Sequence, residues 1–110
     1  MKIENKTGYT LITSDENSFQ QFFISFQKEI KNFKNQHLIL EISENINIDK
    51  RKISLLLDYA IEKKENGRSF VVMAQNLCVD DFPETFNIVP TMQEAEDLLE
   101  MEAIERELGF

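Results

Sequence analysis

Apolar residues recur along this chain with two periods, and the changes between them mark its expected elements. Lys2-Ile3-Glu4-Asn5-Lys6-Thr7-Gly8 followed by Tyr9-Thr10-Leu11-Ile12-Thr13 alternates around a glycine, which predicts a β-hairpin turning near Gly8. Ser14 to Ser18 then offers several N-caps, and Ser18 with Gln21 has capping-box spacing. Phe19, Phe22, Phe26, Ile30 and Phe33 follow at three- and four-residue steps, one stripe of a helix over 17–34. Lys28, Lys31 and Lys34 fall toward its far end, where cations complement the helix dipole.

The run 37–43, His37-Leu38-Ile39-Leu40-Glu41-Ile42-Ser43, reads as a central strand covered on both faces. Asp49 is the next N-cap, and Ile53, Leu56, Leu57, Ala60 and Ile61 mark an amphipathic helix that stops at Asn66-Gly67. Ser69-Phe70-Val71-Val72-Met73-Ala74 is a second buried strand, so the three elements form a βαβ unit with parallel strands. In the connection 75–85, a helical turn begun by Asp80 or Asp81 fits, since Pro83 is tolerated in a first turn. Phe86-Asn87-Ile88-Val89 reads as a short edge strand. Thr91 and Glu94 make a T-x-x-E capping box, after which Ala95, Leu98, Leu99, Met101 and Ile104 carry a helix toward the C-terminus.

Composition narrows this α/β picture. The 110 residues and 42% hydrophobic content suit one domain over 1–110, and nine Phe with no Trp make Phe the main aromatic filler of its core. Three Gly and two Pro are too few for an all-β protein rich in tight turns. No segment approaches the roughly 20 apolar residues needed to cross a bilayer, and no signal peptide is expected. An unpaired Cys78 suits a reducing compartment, so a cytoplasmic location without membrane attachment is expected. The formal charge of -8 is concentrated at the end: residues 91–110 hold seven acids against one base, Arg106. Such an element repels phosphate backbones, so direct nucleic-acid binding is not its expected task.

The order of elements, together with three motifs, resembles the STAS domain of anti-sigma-factor antagonists and sulphate-transporter tails. Leu38-Ile39-Leu40-Glu41-Ile42-Ser43 is similar to the family's hhhDhs strand, and Gly67-Arg68-Ser69-Phe70-Val71-Val72-Met73 to its G-x-x-hhhh strand entry. Phe86 to Ala95 is similar to its F-x-h-x-x-T-x-x-E-A ending, the most specific of the three. The resemblance implies a single STAS-like domain: an N-terminal hairpin, a mixed and mainly parallel sheet with helices, and a long acidic C-terminal helix. It also implies a regulatory module that works by protein–protein interaction.

At the family's phosphorylation motif the chain departs from the pattern. Where switch members carry D-S-S-G or D-S-T-G, this sequence reads Asp49-Lys50-Arg51-Lys52, so the phosphorylatable Ser is missing; Ser54, two residues on, is the candidate substitute. The basic triplet Lys50 to Lys52 reads either as a solvated cluster or as a contact for an acidic partner or phosphate group. Glu100, Glu102 and Glu105 of the acidic helix are the candidate partner-binding residues. The expected partner is a protein of unidentified sequence, and the pattern leaves the oligomeric state open.

Catalytic chemistry finds few candidates. One His and one Cys in separate segments offer no catalytic, metal or cofactor site, and the glycines Gly8, Gly67 and Gly109 are too scattered to cradle a phosphate. His37 reads as an ordinary strand-edge residue and Cys78 as a small core residue. Asp80-Asp81 and Glu41 with Glu44 are carboxylate pairs of a kind that can hold Mg²⁺, though capping accounts for the first. No cofactor is expected. Short chains of this pattern also resemble ones labelled ribonuclease Z, but a metallo-nuclease of that type needs an H-x-H-x-D-H cluster, which one His cannot supply. The alternative functions are an accessory role beside an RNA-processing nuclease, or a small anion- or nucleotide-binding domain near Asp49 to Ile53.

Overall fold

The chain forms an α/β layered structure around a five-stranded mixed sheet. A computed structural model describes residues 1–44, 46, 48–75, 82–83 and 86–109. The strands are β1 (Lys2–Lys6), β2 (Tyr9–Thr13), β3 (Leu38–Glu41), β4 (Phe70–Met73) and β5 (Asn87–Val89). The helices are α1 (Phe19–Glu29), continued by a 3₁₀ segment at Ile30–Phe33, then α2 (Lys50–Ser54), α3 (Leu57–Glu65) and α4 (Met92–Glu107).

β1 and β2 are antiparallel and joined through Gly8, whose φ of 88° is the left-handed conformation a tight hairpin requires. The pairs β2 to β3, β3 to β4 and β4 to β5 are parallel, and the spatial order follows the sequence order without reversal. Right-handed crossovers between strands that always advance in one direction fall on one face. That face carries α1, α2 and α3 and the large core of Phe19, Phe22, Phe26, Leu38, Leu40, Ile53, Leu56, Phe70, Val72 and Ile88. α4 covers the other face through Ala95, Leu98 and Leu99, packed on Leu11, Ile39 and Val71. β3, expected as a central strand, lies in the middle of the sheet with Leu38, Ile39 and Leu40 buried.

Local chemistry explains the helix boundaries. Ser18 caps α1 by accepting from the Gln21 amide at 3.2 Å, and Thr91 caps α4 by accepting from the Glu94 amide at 3.2 Å. The Thr91 hydroxyl is also 3.3 Å from the Glu94 carboxylate. Thr91→Ala should therefore lower stability by about 1 kcal/mol, read as a shifted urea midpoint at unchanged m-value.

Two expectations need correction. The helix expected over 17–34 is α-helical only to Glu29 and tightens to 3₁₀ through Phe33. The helix expected from Asp49 to Asn66 is broken into α2 and α3: the Leu55 amide bonds to Lys52 O and the Leu56 amide to Ile53 O, both three-residue steps. A tightened turn rotates the chain further per residue than an α-helix, which moves the inward stripe to Ile53, Leu56, Ala60 and Lys63. Ile61, assigned to that stripe by spacing, is consequently exposed, as is Leu55. α4 runs through Met101 and Ile104 as the sequence predicts, and these two side chains point to solvent, 54% and 51% exposed. The expected helical turn at Asp80 or Asp81 and the environment of Cys78 lie outside the described residues.

Candidate functional site

The residues singled out at the start of α2 are brought together as a capped helix end. Asp49 is extended (φ -140°, ψ 177°), and its carboxylate accepts from the Lys52 amide at 2.9 Å. The negative charge that a helix N-terminus and three cations favour is thus supplied within the segment itself. Lys50 and Arg51 are exposed, Lys52 and Ser54 are half-buried, and Ile53 between them is fully buried. Ser54 is therefore the last residue of a five-residue helix, beyond the amides left free at its start.

The carboxyl ends of the parallel strands open onto a groove of about 580 Å³ lined by Thr13, Ser14, Glu41, Ser43, Gln75 and Thr91, among others. Its polar groups serve mainly to tie strand ends together. Thr13 donates to Glu41 Oε1 at 3.2 Å, and Ser14 Oγ accepts from the Ser43 amide at 2.7 Å. Glu41 and Glu44, the pair noted in the sequence, both line this groove, which makes it unfavourable for a phosphate. Because the strand order never reverses, the sheet also lacks the switch-point crevice in which doubly wound folds hold nucleotides. Among the described residues, no three His, Cys, Asp or Glu side chains gather as a metal-binding group.

At the opposite end of the sheet lie two residues whose environment the sequence did not reveal. His37 Nδ1 accepts from the Ser69 amide at 2.9 Å, linking the starts of β3 and β4. Burial, then the positive charges of Arg106, Arg68 and Lys63, push its pKa below the ordinary imidazole value, so the neutral acceptor form is favoured. Arg106 adds a bond of 3.2 Å to Ser69 Oγ. The serine oxygen is thus engaged by a guanidinium while the imidazole takes the serine amide, so the two side chains do not form a nucleophile–base pair. Lys63 is 4% exposed and donates from Nζ to the carbonyls of Phe33 and Gln36, where the 3₁₀ segment ends. Lys28 and Lys31 lie in the last turns of α1 and of the 3₁₀ segment, and α3 adds Lys63 as a direct donor to the carbonyls there. A signal existed, since Lys63 continues the spacing Ile53, Leu56, Ala60.

The three acids singled out on α4 separate. Glu102 faces the sheet and accepts from Asn87 Nδ2 at 2.7 Å, whereas Glu100 and Glu105 are exposed. Glu96, Asp97 and Glu94 are engaged by Tyr9, Gln93 and Thr91. Glu100, Glu105 and Glu107 have no hydrogen-bond or ion-pair partner among the described residues, and Met101, Ile104 and Leu108 lie exposed beside them. The basic triplet at α2 and these acids sit on opposite faces of the sheet, so they do not form one surface. Residues of α3 and α4 share the lining of one groove, which includes Lys64, Arg68, Glu102, Glu105 and Arg106. No helix among the described residues is long and apolar enough to cross a membrane. No protein-family model matches the chain, and no curated protein matches it.

Proposed function

We propose that this chain is a non-catalytic, cytoplasmic regulatory module of STAS type, similar to anti-sigma-factor antagonists but without their phosphorylatable Ser, and that it works by binding another protein through α4. The observation that carries this reading is the unspent charge and apolar surface of that helix. Glu100, Glu105 and Glu107 are exposed and unpaired among the described residues, next to Met101, Ile104 and Leu108. Support also comes from the order of the elements, a hairpin followed by parallel strands and helices and a terminal helix alone on its face. At the position of the family's switch stands a helix cap made by Asp49, followed by cations in place of hydroxyls. Regulation then comes from the partner's availability and not from phosphate at this helix.

Affinity purification of the full chain from its native cell tests the reading. The expected result is a partner whose recovery falls with added salt and falls about fivefold or more on joint reversal of Glu100→Lys and Glu105→Lys. Glu102 is left unchanged because its bond to Asn87 belongs to the fold. Equal recovery with both charges reversed would remove α4 from the interface, and failure to recover any specific partner would overturn the module itself.

A further inference from the structure

α4 is amphipathic twice over. Its inner side places Ala95, Leu98 and Leu99 on the sheet, with Glu102 and Arg106 completing that side through Asn87 and Ser69. The outer side has its own apolar stripe, because Met101, Ile104 and Leu108 follow at steps of three and four and so lie one above another. They are 54%, 51% and 65% exposed, which makes them the most exposed large apolar side chains among the described residues. On the helix surface, Glu100 and Glu107 border this stripe on one side and Glu105 on the other. An apolar seam with like charges along both margins has the layout of a helix-pairing surface, in which the seam supplies contact area and the margins select the partner.

From this layout we infer that the outer face of α4 docks an amphipathic helix of another protein, with an apolar stripe bordered by Lys or Arg. The inference rests on the protein-binding reading above and adds the chemistry of the partner. Charge decides among the possible occupants. A second copy pairing through the same face across a twofold axis would set Glu100, Glu105 and Glu107 against their own equivalents, a repulsive arrangement. An anionic lipid surface is repelled for the same reason. The chain's own basic segment cannot serve in a second copy, since α2 has five residues and its apolar Ile53 is already fully buried. A basic amphipathic helix instead brings cations to both margins while covering the seam.

The full chain, labelled with ¹⁵N, can be titrated with a synthetic Leu/Lys peptide of about five helical turns whose leucines form one stripe. A peptide of the same composition with its leucines scattered serves as comparison. The expected result is a set of amide shift changes centred on 98–108, binding at least about tenfold tighter for the striped peptide, and loss of that advantage in Met101→Glu/Ile104→Glu. Both substitutions are at exposed positions, so the dispersion of the variant's spectrum verifies that it is folded. Equal binding of the two peptides, or shifts centred elsewhere, would overturn the inference. So would a concentration-dependent dimer of the free chain, measured by sedimentation, that Met101→Glu/Ile104→Glu abolishes. Purification from the native cell separates this failure from that of the module reading. A partner recovered equally by wild type and Met101→Glu/Ile104→Glu sinks the stripe alone, whereas no specific partner with wild type sinks the module.

Discussion

Phe26→Ala should destabilise this protein by about 3–5 kcal/mol, a large share of the 5–15 kcal/mol that holds a typical domain folded. Phe26 is fully buried and meets three elements at once. Its ring stands edge-on to Tyr59 of α3 at 5.3 Å and to Phe70 of β4 at 6.2 Å, and it continues the α1 series through Phe22 at 5.9 Å. Truncation removes the transfer energy of the ring and leaves a cavity that α1 cannot close without leaving the sheet, and it forfeits two edge-to-face contacts. Urea unfolding followed by far-UV circular dichroism measures the change. Phe23, half-buried on the same helix, provides the contrast: Phe23→Ala should cost clearly less. Equal losses at the two positions would mean that the core is not organised around Phe26.

The second large effect belongs to Lys63, and its size depends on pH. Burial, followed by the positive charge of Arg68, lowers the Lys63 pKa from 10.5 to about 8. Between those two values the unfolded chain holds a proton that the folded chain has released, so the Lys63 contribution to stability rises with pH through that window. Below about pH 8 both states carry the charge, and the full cost of burying it is felt. Lys63→Met removes that titration but leaves the Phe33 and Gln36 carbonyls without their donor. Unsatisfied groups of this kind cost about 1–3 kcal/mol, a loss that relief of the buried charge offsets at pH 7, so the gap in favour of wild type should open from pH 8 to 10.5. Both proteins share the titration of Tyr9, which burial and its bond to Glu96 push upward, so it cancels in the difference. Chemical denaturation at several pH values follows the gap. A gap that stays constant across the window would place the Lys63 ammonium in contact with solvent.

These two residues also mark how far a linear pattern reaches. Phe26 was legible because α1 begins at a recognisable cap and keeps one period, so spacing alone assigns Phe19, Phe22, Phe26 and Phe33 to the core. The strands of the βαβ unit were legible from length as well as pattern: short continuous apolar runs between turn residues are the signature of strands covered on both sides. Lys63 was legible only as a position in line with Ile53, Leu56 and Ala60; that a lysine is buried there depends on where the carbonyls of another segment end and on a tightened turn at Leu55 and Leu56 that rotates the stripe.

The candidate site divides in the same way. Sequence determined that Asp49 caps a helix, that three cations follow it at positions 50–52, and that the last 20 residues carry most of the net negative charge. Each of these is a property of neighbouring residues. Tertiary structure decided that α2 and α4 lie on opposite faces, because a strand order that never reverses sends the crossovers carrying α1, α2 and α3 to one side and leaves the last helix on the other. It also decided which acids are free. Glu100, Glu102 and Glu105 are alike in sequence, but Asn87 of β5 takes Glu102, while the seam of Met101, Ile104 and Leu108 is left outside because the sheet can cover only one side of α4.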